Sequence, residues 1–270
     1  CKKISQSDYT VFTAVPTIYF SLIEKLEKTD EAEIFNGFKK LRLMMSGSAA
    51  LAPEIHKKWE ALTGQKILER YGMTEVGMAL SNKIDGERRP GAVGEALPNV
   101  EIKLEDENGN EIIEEGEIGQ ILLKGPQVFS CYQNLPVKTE EAFKDGWFLT
   151  GDIAIIEDGY YRLLGRDSID IIKSGGYKIS ALEIEDVLLK NKNVKECAVF
   201  AKNDEKWGEI VVAAIIPKKL AISEEELQNW CSTYLSDYKI PRIIKLLDQL
   251  PKNSMGKVIK TELKNVFNNP

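Results

Sequence analysis

Two short segments combine residue types that suit a nucleotide. Tyr71-Gly72-Met73-Thr74-Glu75 joins an aromatic ring, a hydroxyl and a carboxylate within five residues. A tyrosine ring can stack on a base, a threonine hydroxyl can bind phosphate, and a glutamate can bind magnesium. Upstream, the small residues of Ser46-Gly47-Ser48-Ala49-Ala50-Leu51 allow a flat ligand to approach the backbone. The structural alternatives are a polar loop with one anchoring aromatic residue and a tight turn between a strand and a helix.

Three further segments carry groups suited to ribose, to phosphate or to a phosphate-bearing arm. Thr150-Gly151-Asp152 ends a predicted strand, where a carboxylate can accept hydrogen bonds from two vicinal hydroxyls. The glycine pair of Ser174-Gly175-Gly176 is followed by Lys178 and can admit a phosphate-bearing arm. Lys257 follows a glycine in a polar loop and can reach a phosphate as a mobile point charge. Taken singly, each is also typical of a turn or of a solvated lysine.

The single histidine of the chain limits the possible chemistry. A Ser-His-Asp or Cys-His site would have to use His56. This residue lies in a predicted helix, Pro53–Leu62, among Lys57, Lys58 and Glu60, which predicts a solvated surface histidine. The reaction should therefore need no imidazole base, and attack by an already ionised carboxylate meets that condition.

The first part of the chain predicts a parallel βαβ unit. After an apolar start, the residues of Val11–Leu26 alternate at helical spacing, which predicts a helix with Pro16 near its first position. Strand Leu41–Met45, helix Pro53–Leu62 and strand Lys66–Leu68 then follow with short connections.

The pattern changes twice downstream, near Pro90 and after Gly165. Short alternating strands separated by turn signals predict a β-rich section over Val100–Leu104, Ile118–Lys124, Trp147–Leu149 and Ile153–Ile156. A small α+β section follows, with helices and strands over Ala181–Leu189, Val194–Ala201, Glu209–Ile216, Ser223–Leu235 and Arg242–Leu246. The sequence therefore predicts an α/β fold joined to an α+β fold, with domains over residues 1–165 and 166–270.

Composition narrows the function classes. The chain has 270 residues, 36 Lys and Arg against 42 Asp and Glu, a net charge of −6 and 43% hydrophobic residues, as in ordinary globular proteins. The acidic balance argues against nucleic acid or an anionic membrane as partner. The longest apolar run, Ile210–Ile216, is far shorter than the roughly 20 residues of a membrane span. Small-molecule partners are expected, and oligomeric state is not predicted.

The cysteines and the first residue bear on location. The four cysteines form no CxxC pair, which predicts isolated reduced thiols rather than a zinc site: Cys1, Cys131, Cys197 and Cys231. The first residue is not Met, which predicts a fragment or a processed chain. We expect a cytoplasmic protein, or a mitochondrial matrix protein if a missing N-terminal segment carries a transit peptide.

In order and spacing, these segments closely resemble the adenylate-forming superfamily of acyl-CoA synthetases, non-ribosomal adenylation domains and luciferases. The resemblance covers essentially the whole chain and rests on Thr13-Ala14-Val15-Pro16-Thr17, Tyr71-Gly72-Met73-Thr74-Glu75, Thr150-Gly151-Asp152, Gly165-Arg166 and Met255-Gly256-Lys257. The glycine-rich phosphate loop of the family lies upstream of these motifs and is absent here. The resemblance thus implies the last part of a large domain followed by a small, mobile C-terminal domain.

Within the superfamily the resemblance is closest to malonyl-CoA and methylmalonyl-CoA synthetases. It is carried by Ser46–Leu51, Leu68–Glu75, Asp85–Gly94 and Ile172–Lys178. It implies an ATP-dependent acid–CoA ligase that uses ATP, Mg²⁺ and coenzyme A, with malonate or methylmalonate as the acid. The alternatives are a medium- or long-chain fatty acyl-CoA synthetase and an inactive, truncated nucleotide-binding fragment.

The resemblance also implies a role for each matching residue. Lys257, Thr74 and Glu75 are catalytic, with Lys257 at the developing charge, Thr74 on phosphate and Glu75 on magnesium. Tyr71 and the Ser46–Leu51 loop surround adenine. The nucleotide-binding residues are Ser46, Gly47, Ser48, Ala49, Tyr71, Gly72, Met73 and Thr74, with ribose at Asp152 and Arg166; the hinge is Asp167 and Ser168, and coenzyme A binds at Ser174, Gly175 and Gly176.

A dicarboxylic substrate brings a second carboxylate, which needs a cationic partner once it is buried. Arg88 is the first candidate, and Arg70 and Arg42 are the alternatives. The structural alternative is that Arg88 and Arg89 belong to a solvated loop.

Overall fold

The computed structural model describes residues 2–28, 32–218, 222–253 and 256–268. The chain divides into two units, Cys1–Leu163 and Leu164–Pro270. The division falls within one strand, near the predicted change of pattern after Gly165. Among the described residues, no helix has the length and apolarity to cross a bilayer.

A five-stranded sheet with helices packed on it forms the first part of unit 1. Its elements are α1 (Lys2–Ser5), β1 (Val11–Ala14), α2 (Pro16–Leu26), α3 (Ala32–Lys39), β2 (Leu43–Ser46), α4 (Pro53–Thr63), β3 (Leu68–Met73), β4 (Gly77–Ser81) and β5 (Glu95–Ala96). The strand order is β1-β2-β3-β4-β5, and β2 is parallel to both β1 and β3. The segment β2-α4-β3 is therefore the predicted βαβ unit.

The helix predicted within Val11–Leu26 begins at Pro16, near the position expected for its first residue. The apolar start before it, Val11–Ala14, forms strand β1, which the sequence analysis did not predict. β-Branched and aromatic side chains favour an extended backbone, and Pro at the first helical position favours a helix start. Helix α4 ends as expected, with Gly64 in the left-handed conformation at φ 72°.

Interlocking aromatic rings fill the core between α2, α3 and α4. The Trp59 ring meets Tyr19 and Phe38 edge to face, with ring centroids 5.0 and 4.9 Å apart. The buried Tyr19 hydroxyl donates to the Met45 carbonyl at 2.9 Å. This packing fixes α2 and α4 against β2, at whose end the Ser46–Leu51 loop begins.

A second, six-stranded sheet completes unit 1. Its elements are β6 (Glu101–Glu105), β7 (Glu111–Ile112), β8 (Ile118–Lys124), α5 (Pro136–Glu141), β9 (Phe143–Lys144), β10 (Trp147–Glu157) and β11 (Tyr160–Arg166). The order is β11-β10-β8-β6-β7, with β9 paired to β10. The two strands predicted over Trp147–Leu149 and Ile153–Ile156 are one strand, β10, whose register shifts between Leu149 and Ile153. Thr150-Gly151-Asp152 therefore lies inside a strand, at a bulge, rather than at a strand end.

Unit 2 is an α+β fold around a third sheet. Its elements are β12 (Ile171–Ser174), β13 (Tyr177–Ser180), α6 (Ala181–Leu189), β14 (Val194–Asp204), β15 (Gly208–Pro217), α7 (Glu224–Ser232), a 3₁₀ helix (Asp237–Lys239), β16 (Ile243–Leu246) and α8 (Lys260–Asn268). The order is β13-β12-β15-β14, with β16 parallel to β15. Alternate residues of β15 enter two cores, one with α6 and α7 and one with α8. The predicted capping box of Ser223 and Glu226 is present at α7.

Candidate active site

Tyr71 and Asp152, 81 residues apart in sequence, meet in unit 1. The Tyr71 hydroxyl donates to Asp152 Oδ2 at 2.6 Å, and both residues are buried. The β10 bulge is fixed by Thr150, whose hydroxyl donates to the Ile121 carbonyl and accepts from the Asp152 amide. The structure thus brings together two residues that the sequence assigned to the same nucleotide.

The Ser46–Leu51 loop follows β2 and lines a pocket. The other walls come from the first half of β3, the segment before β5 and strand β11. The lining comprises Ser46, Ala49, Ala50, Leu51, Glu69, Arg70, Gly91, Val93 and Leu163. Ser46 Oγ and Arg70 Nε are buried and have no hydrogen-bond partner among the described residues. The pocket therefore offers a hydroxyl and a cationic N–H to a polar or anionic ligand.

Gly47 allows the Arg70 guanidinium to approach this loop closely. A Cβ atom at position 47 would stand 2.4 Å from Arg70 Nη1. The next residue, Ser48, has φ 68°, in the left-handed region that residues other than glycine adopt rarely. The small residues of the loop thus accommodate the arginine, a contact that the sequence analysis missed.

Thr74 and Glu75 occupy the tight connection between β3 and β4. Thr74 is exposed, and Glu75 Oε1 accepts from the Tyr132 hydroxyl at 3.0 Å. Among the described residues no group of three His, Cys, Asp or Glu side chains is arranged to hold a metal. A single carboxylate can nevertheless bind Mg²⁺ when the nucleotide phosphates supply other ligands of the ion. Glu75 fits that role.

The prediction of a surface histidine is wrong. His56 is fully buried, and its Nδ1 lies 2.9 Å from Glu69 Oε1. The reason is its position on α4: the buried face of that helix carries His56, Trp59 and Thr63, at spacings of three and four residues. That periodicity was the signal for burial, and the flanking charged residues concealed it.

Glu69, which the sequence analysis also missed, supports one wall of the pocket. Its Oε1 accepts from the Gly91 amide at 2.9 Å as well as facing His56. Burial raises the pKa of Glu69, while the hydrogen bonds from His56 and Gly91 act in the opposite direction. Asn82 adds to this wall because its amide nitrogen donates to the Glu69 and Ala92 carbonyls.

Arg88 and Arg89 have defined contacts. The Arg88 guanidinium donates to the carbonyls of Lys66, Lys83 and Ile84, at 2.8, 3.3 and 2.8 Å. Arg89 pairs with Glu87 and Asp158, and its guanidinium lies 4.2 Å from the centre of the Tyr160 ring. Arg88 thus organises its loop, and it is not among the residues that line the pocket. Arg42, the other alternative, is exposed.

In unit 2, the glycine pair forms the turn of the β12–β13 hairpin. Gly175 and Gly176 have φ 57° and 86°, and Ser174 before them is buried. A Cβ atom on Gly175 would lie 2.9 Å from Cε3 of Trp207, so a glycine lets the indole ring cover the turn. The Gly175 amide donates to the Trp207 carbonyl at 2.9 Å.

The remaining predicted residues of unit 2 lie at a strand end, in a turn and in a loop. Arg166 ends β11, and Asp167 and Ser168 begin the turn that follows. Lys257 is exposed, and its amide donates to Asn253 Oδ1 at 2.9 Å. Met255, part of the predicted motif, lies outside the described residues.

Comparisons with known families cover both units. The family described as AMP-binding enzyme matches residues 1–133, and the AMP-binding enzyme C-terminal domain matches residues 183–257.

Individual relatives agree with this result. A malonate–CoA ligase of Arabidopsis thaliana is 47% identical over 277 residues, which covers 96% of this chain and 45% of that protein. The mitochondrial malonate–CoA ligase of Bos taurus is 42% identical over 281 residues, covering 94% of this chain and 48% of that protein. The crystal structure of ATP-bound MatB from Rhodopseudomonas palustris has a TM-score of 0.89 and 37% identity, covering 99% of this chain and 52% of that one. The chain thus spans about half the length of the proteins that it matches.

Proposed function

Because the chain belongs to the AMP-binding enzyme family, we propose that it serves an ATP-dependent acid–CoA ligase reaction. The observation that carries the proposal is the pocket of unit 1. The predicted Ser46–Leu51 loop lines it together with Arg70, the residue beside the Tyr71–Asp152 pair. The fold shared with ATP-bound MatB supports a nucleotide as one ligand of this region.

The proposed reaction has two steps. A carboxylate oxygen of the acid bonds to the α-phosphorus of ATP, and the P–O bond to pyrophosphate breaks. The sulfur of coenzyme A then bonds to the acyl carbon, AMP leaves with the bonding electrons, and the thiol loses its proton. The acid is ionised near neutral pH because carboxyl pKa values lie around 4. The first step therefore needs no general base, in agreement with a single histidine that is buried away from any surface role.

Catalysis of the first step is a matter of charge and position. We assign adenine to Ser46–Leu51 and Tyr71, and ribose to Asp152 and Arg166. Tyr71 supports Asp152 directly, since its hydroxyl donates to Asp152 Oδ2 and helps to fix the carboxylate in place. Thr74 binds phosphate, and Glu75 would hold Mg²⁺, which supplies charge neutralisation at the phosphates when bound.

Residues of unit 2 complete the assignment. Lys257 neutralises charge at the α-phosphate in the first step. A rotation at Asp167 and Ser168 then withdraws Lys257 and brings in Ser174, Gly175 and Gly176 for the coenzyme A arm. In this view unit 1 is the last part of a large adenylate-forming domain, and the segment after residue 165 is the small mobile domain.

We propose malonate or methylmalonate as the acid, in the cytoplasm or the mitochondrial matrix. The relatives from Arabidopsis thaliana and Bos taurus are named malonate–CoA ligases. Arg70 supports the same choice, because its buried Nε at the pocket has no partner in the described part of the chain and can bind a second carboxylate. Arg88 remains the sequence-based candidate for that role, although each of its three nitrogens already donates to a backbone carbonyl.

A substrate panel tests the proposal. The purified protein is incubated with ATP, Mg²⁺, coenzyme A and one of five acids: malonate, methylmalonate, butyrate, octanoate or palmitate. We expect pyrophosphate release and acyl-CoA formation to be greatest with the two dicarboxylic acids. Asp152→Ala is the control, because it should abolish the signal if this chain, and not a contaminant, is the catalyst.

Other outcomes identify the alternatives. Preference for octanoate or palmitate would make the protein a fatty acyl-CoA synthetase. Binding of AMP in equilibrium dialysis without turnover of any acid would identify a nucleotide-binding fragment. If the protein neither turns over any acid nor binds AMP, the proposal is overturned.

A further inference from the structure

Lys260, the first residue of α8, is a largely buried lysine that the proposed chemistry does not use. Its Nζ lies 2.7 Å from Asp170 Oδ1 and 2.9 Å from Glu185 Oε1, and its side chain is 11% exposed. Burial by itself lowers the pKa of Lys260, but the charges of Glu185 and Asp170 leave that pKa raised. The residue is therefore a buried cation compensated by two carboxylates.

The two carboxylates belong to different elements. Asp170 closes the turn after β11: its Oδ2 accepts from the Arg166 amide at 3.1 Å, and its own amide donates to the Arg166 carbonyl at 2.8 Å. Glu185 lies on α6, and its Oε1 also accepts from the Val199 amide of β14 at 2.8 Å. Lys260 thus connects the start of α8 to the turn and to the sheet of unit 2.

Lys257 lies three residues before this anchor. Three residues of extended chain span at most about 11 Å, so the anchor limits how far Lys257 can lie from the turn. The backbone between them is also held locally: the Ile259 amide donates to the Pro251 carbonyl at 2.9 Å, and the Asn253 amide donates to the Lys257 carbonyl at 2.9 Å. The Lys257 segment, defined here as residues 256–259, is therefore fixed at one end by a buried ion pair.

We propose that Lys260 is a positioning residue that ties the Lys257 segment to the turn at residues 167–170, so that the two move as one piece. The mechanical coupling follows from the contacts of unit 2. Its consequence for catalysis rests on the proposed function, in which that turn contains the hinge and Lys257 acts at the α-phosphate. Lys260 would then transmit each rotation at the hinge to Lys257, which must approach the α-phosphate for the first step and withdraw from it for the second.

Amide hydrogen exchange tests the coupling without any assay of activity. Asp170→Ala detaches Lys260 from the turn but leaves its pair with Glu185, so the buried charge stays compensated. Asp167→Ala is the matched control: it removes a carboxylate of the same turn whose partner, Lys173, is exposed. We expect Asp170→Ala to accelerate exchange at the Asn253, Lys257 and Ile259 amides by about tenfold. Asp167→Ala should leave these amides unchanged.

A second pair of variants changes Lys260 itself and measures the effect on the turn. Lys260→Met should accelerate exchange at the Arg166 amide, and Lys260→Arg should restore most of the protection because it keeps a charge and donors. The amides of β14 and β15 serve as the reference for global unfolding. If Lys260→Met does not fold, Asp170→Ala still decides the question.

The outcomes separate the coupling from the proposed function. Acceleration confined to the turn in Asp170→Ala, with the Lys257 segment unaffected, would overturn the coupling whether or not the protein is a ligase. Where the wild-type protein is active, the coupling also predicts a lower kcat for pyrophosphate release in Asp170→Ala, with KM for ATP little changed. Absence of wild-type turnover would count against the proposed function alone. The exchange result would still support or reject the coupling between the Lys257 segment and the turn.

Discussion

At the scale of single residues, Arg70 and Arg88 differ in what their guanidinium groups already bind. Arg88 donates to three backbone carbonyls. Arg70 lies on the pocket wall, and its buried Nε has no partner within the described ranges. A side chain whose donors are satisfied within the fold gains little from a ligand, but an unsatisfied buried donor gains a charge-assisted hydrogen bond.

This difference leads to a prediction about specificity. Arg70→Ala should raise KM for malonate roughly 10- to 100-fold, the equivalent of about 1.5–3 kcal/mol for a hydrogen bond to a charged group, with a much smaller effect on butyrate. Arg88→Ala is the matched variant, and it should weaken the loop and affect both acids alike. Steady-state kinetics with the two acids measures this. A malonate-selective effect of Arg88→Ala would instead restore the sequence-based assignment.

Some outcomes at this scale could be predicted from sequence and others could not. Tyr71 and Asp152 were assigned to one nucleotide by resemblance; the fold places their side chains in contact, and the nucleotide stays a prediction. His56 was assigned to the surface because its neighbours in sequence are charged, yet burial depends on the face of the helix. The partners of Arg88 could not be predicted either, because backbone carbonyls leave no signature in sequence.

At the scale of elements, the connection between β3 and β4 depends on two glycines with different roles. Gly72 sits where the register of the two strands shifts, and a Cβ atom there would lie 2.0 Å from the Gly77 carbonyl oxygen. Gly77 has φ 63° with open space around its Cβ direction. The first position is limited by sterics and the second by backbone conformation.

Substitution of each glycine by alanine separates these effects. Gly77→Ala should lower the free energy of unfolding by about 1 kcal/mol, the usual cost of a left-handed conformation in a residue with a Cβ. Gly72→Ala should cost more than about 3 kcal/mol, because backbone must move to relieve the contact. Urea denaturation monitored by tryptophan fluorescence measures both. Equal losses would show that the strand pair relaxes around position 72.

Elements also explain why the strand boundaries were harder to predict than the fold class. The fold class depends on the pattern of apolar and polar residues over many positions, and the predicted α/β and α+β parts are both present in the structure. The β10 bulge depends on the Thr150 side chain bonding to a neighbouring strand, which no local pattern reports. The start of α2 depended on one residue, Pro16, and the apolar run before it suited either conformation.

At the scale of the whole molecule, the proposed function divides two half-reactions between different parts of the chain. Lys257→Ala should suppress formation of the acyl-adenylate in the active enzyme by about 100-fold or more, and largely spare thioester formation from supplied acyl-adenylate. Pyrophosphate exchange and acyl-CoA formation measure the two steps separately. Lys252→Ala is the control, since this exposed lysine pairs with Glu196 near the same segment. Equal loss of both half-reactions in Lys257→Ala would contradict the role given to Lys257.

The burial of His56 has a practical consequence. Its imidazole is the only one in the chain and lies between α4 and β3, against the carboxylate that supports the pocket wall. Acylating reagents that attack imidazole can reach this ring only after the helix has separated from the sheet. The chain therefore contains one internal chemical probe for the integrity of its ligand pocket, with no competing signal from another histidine.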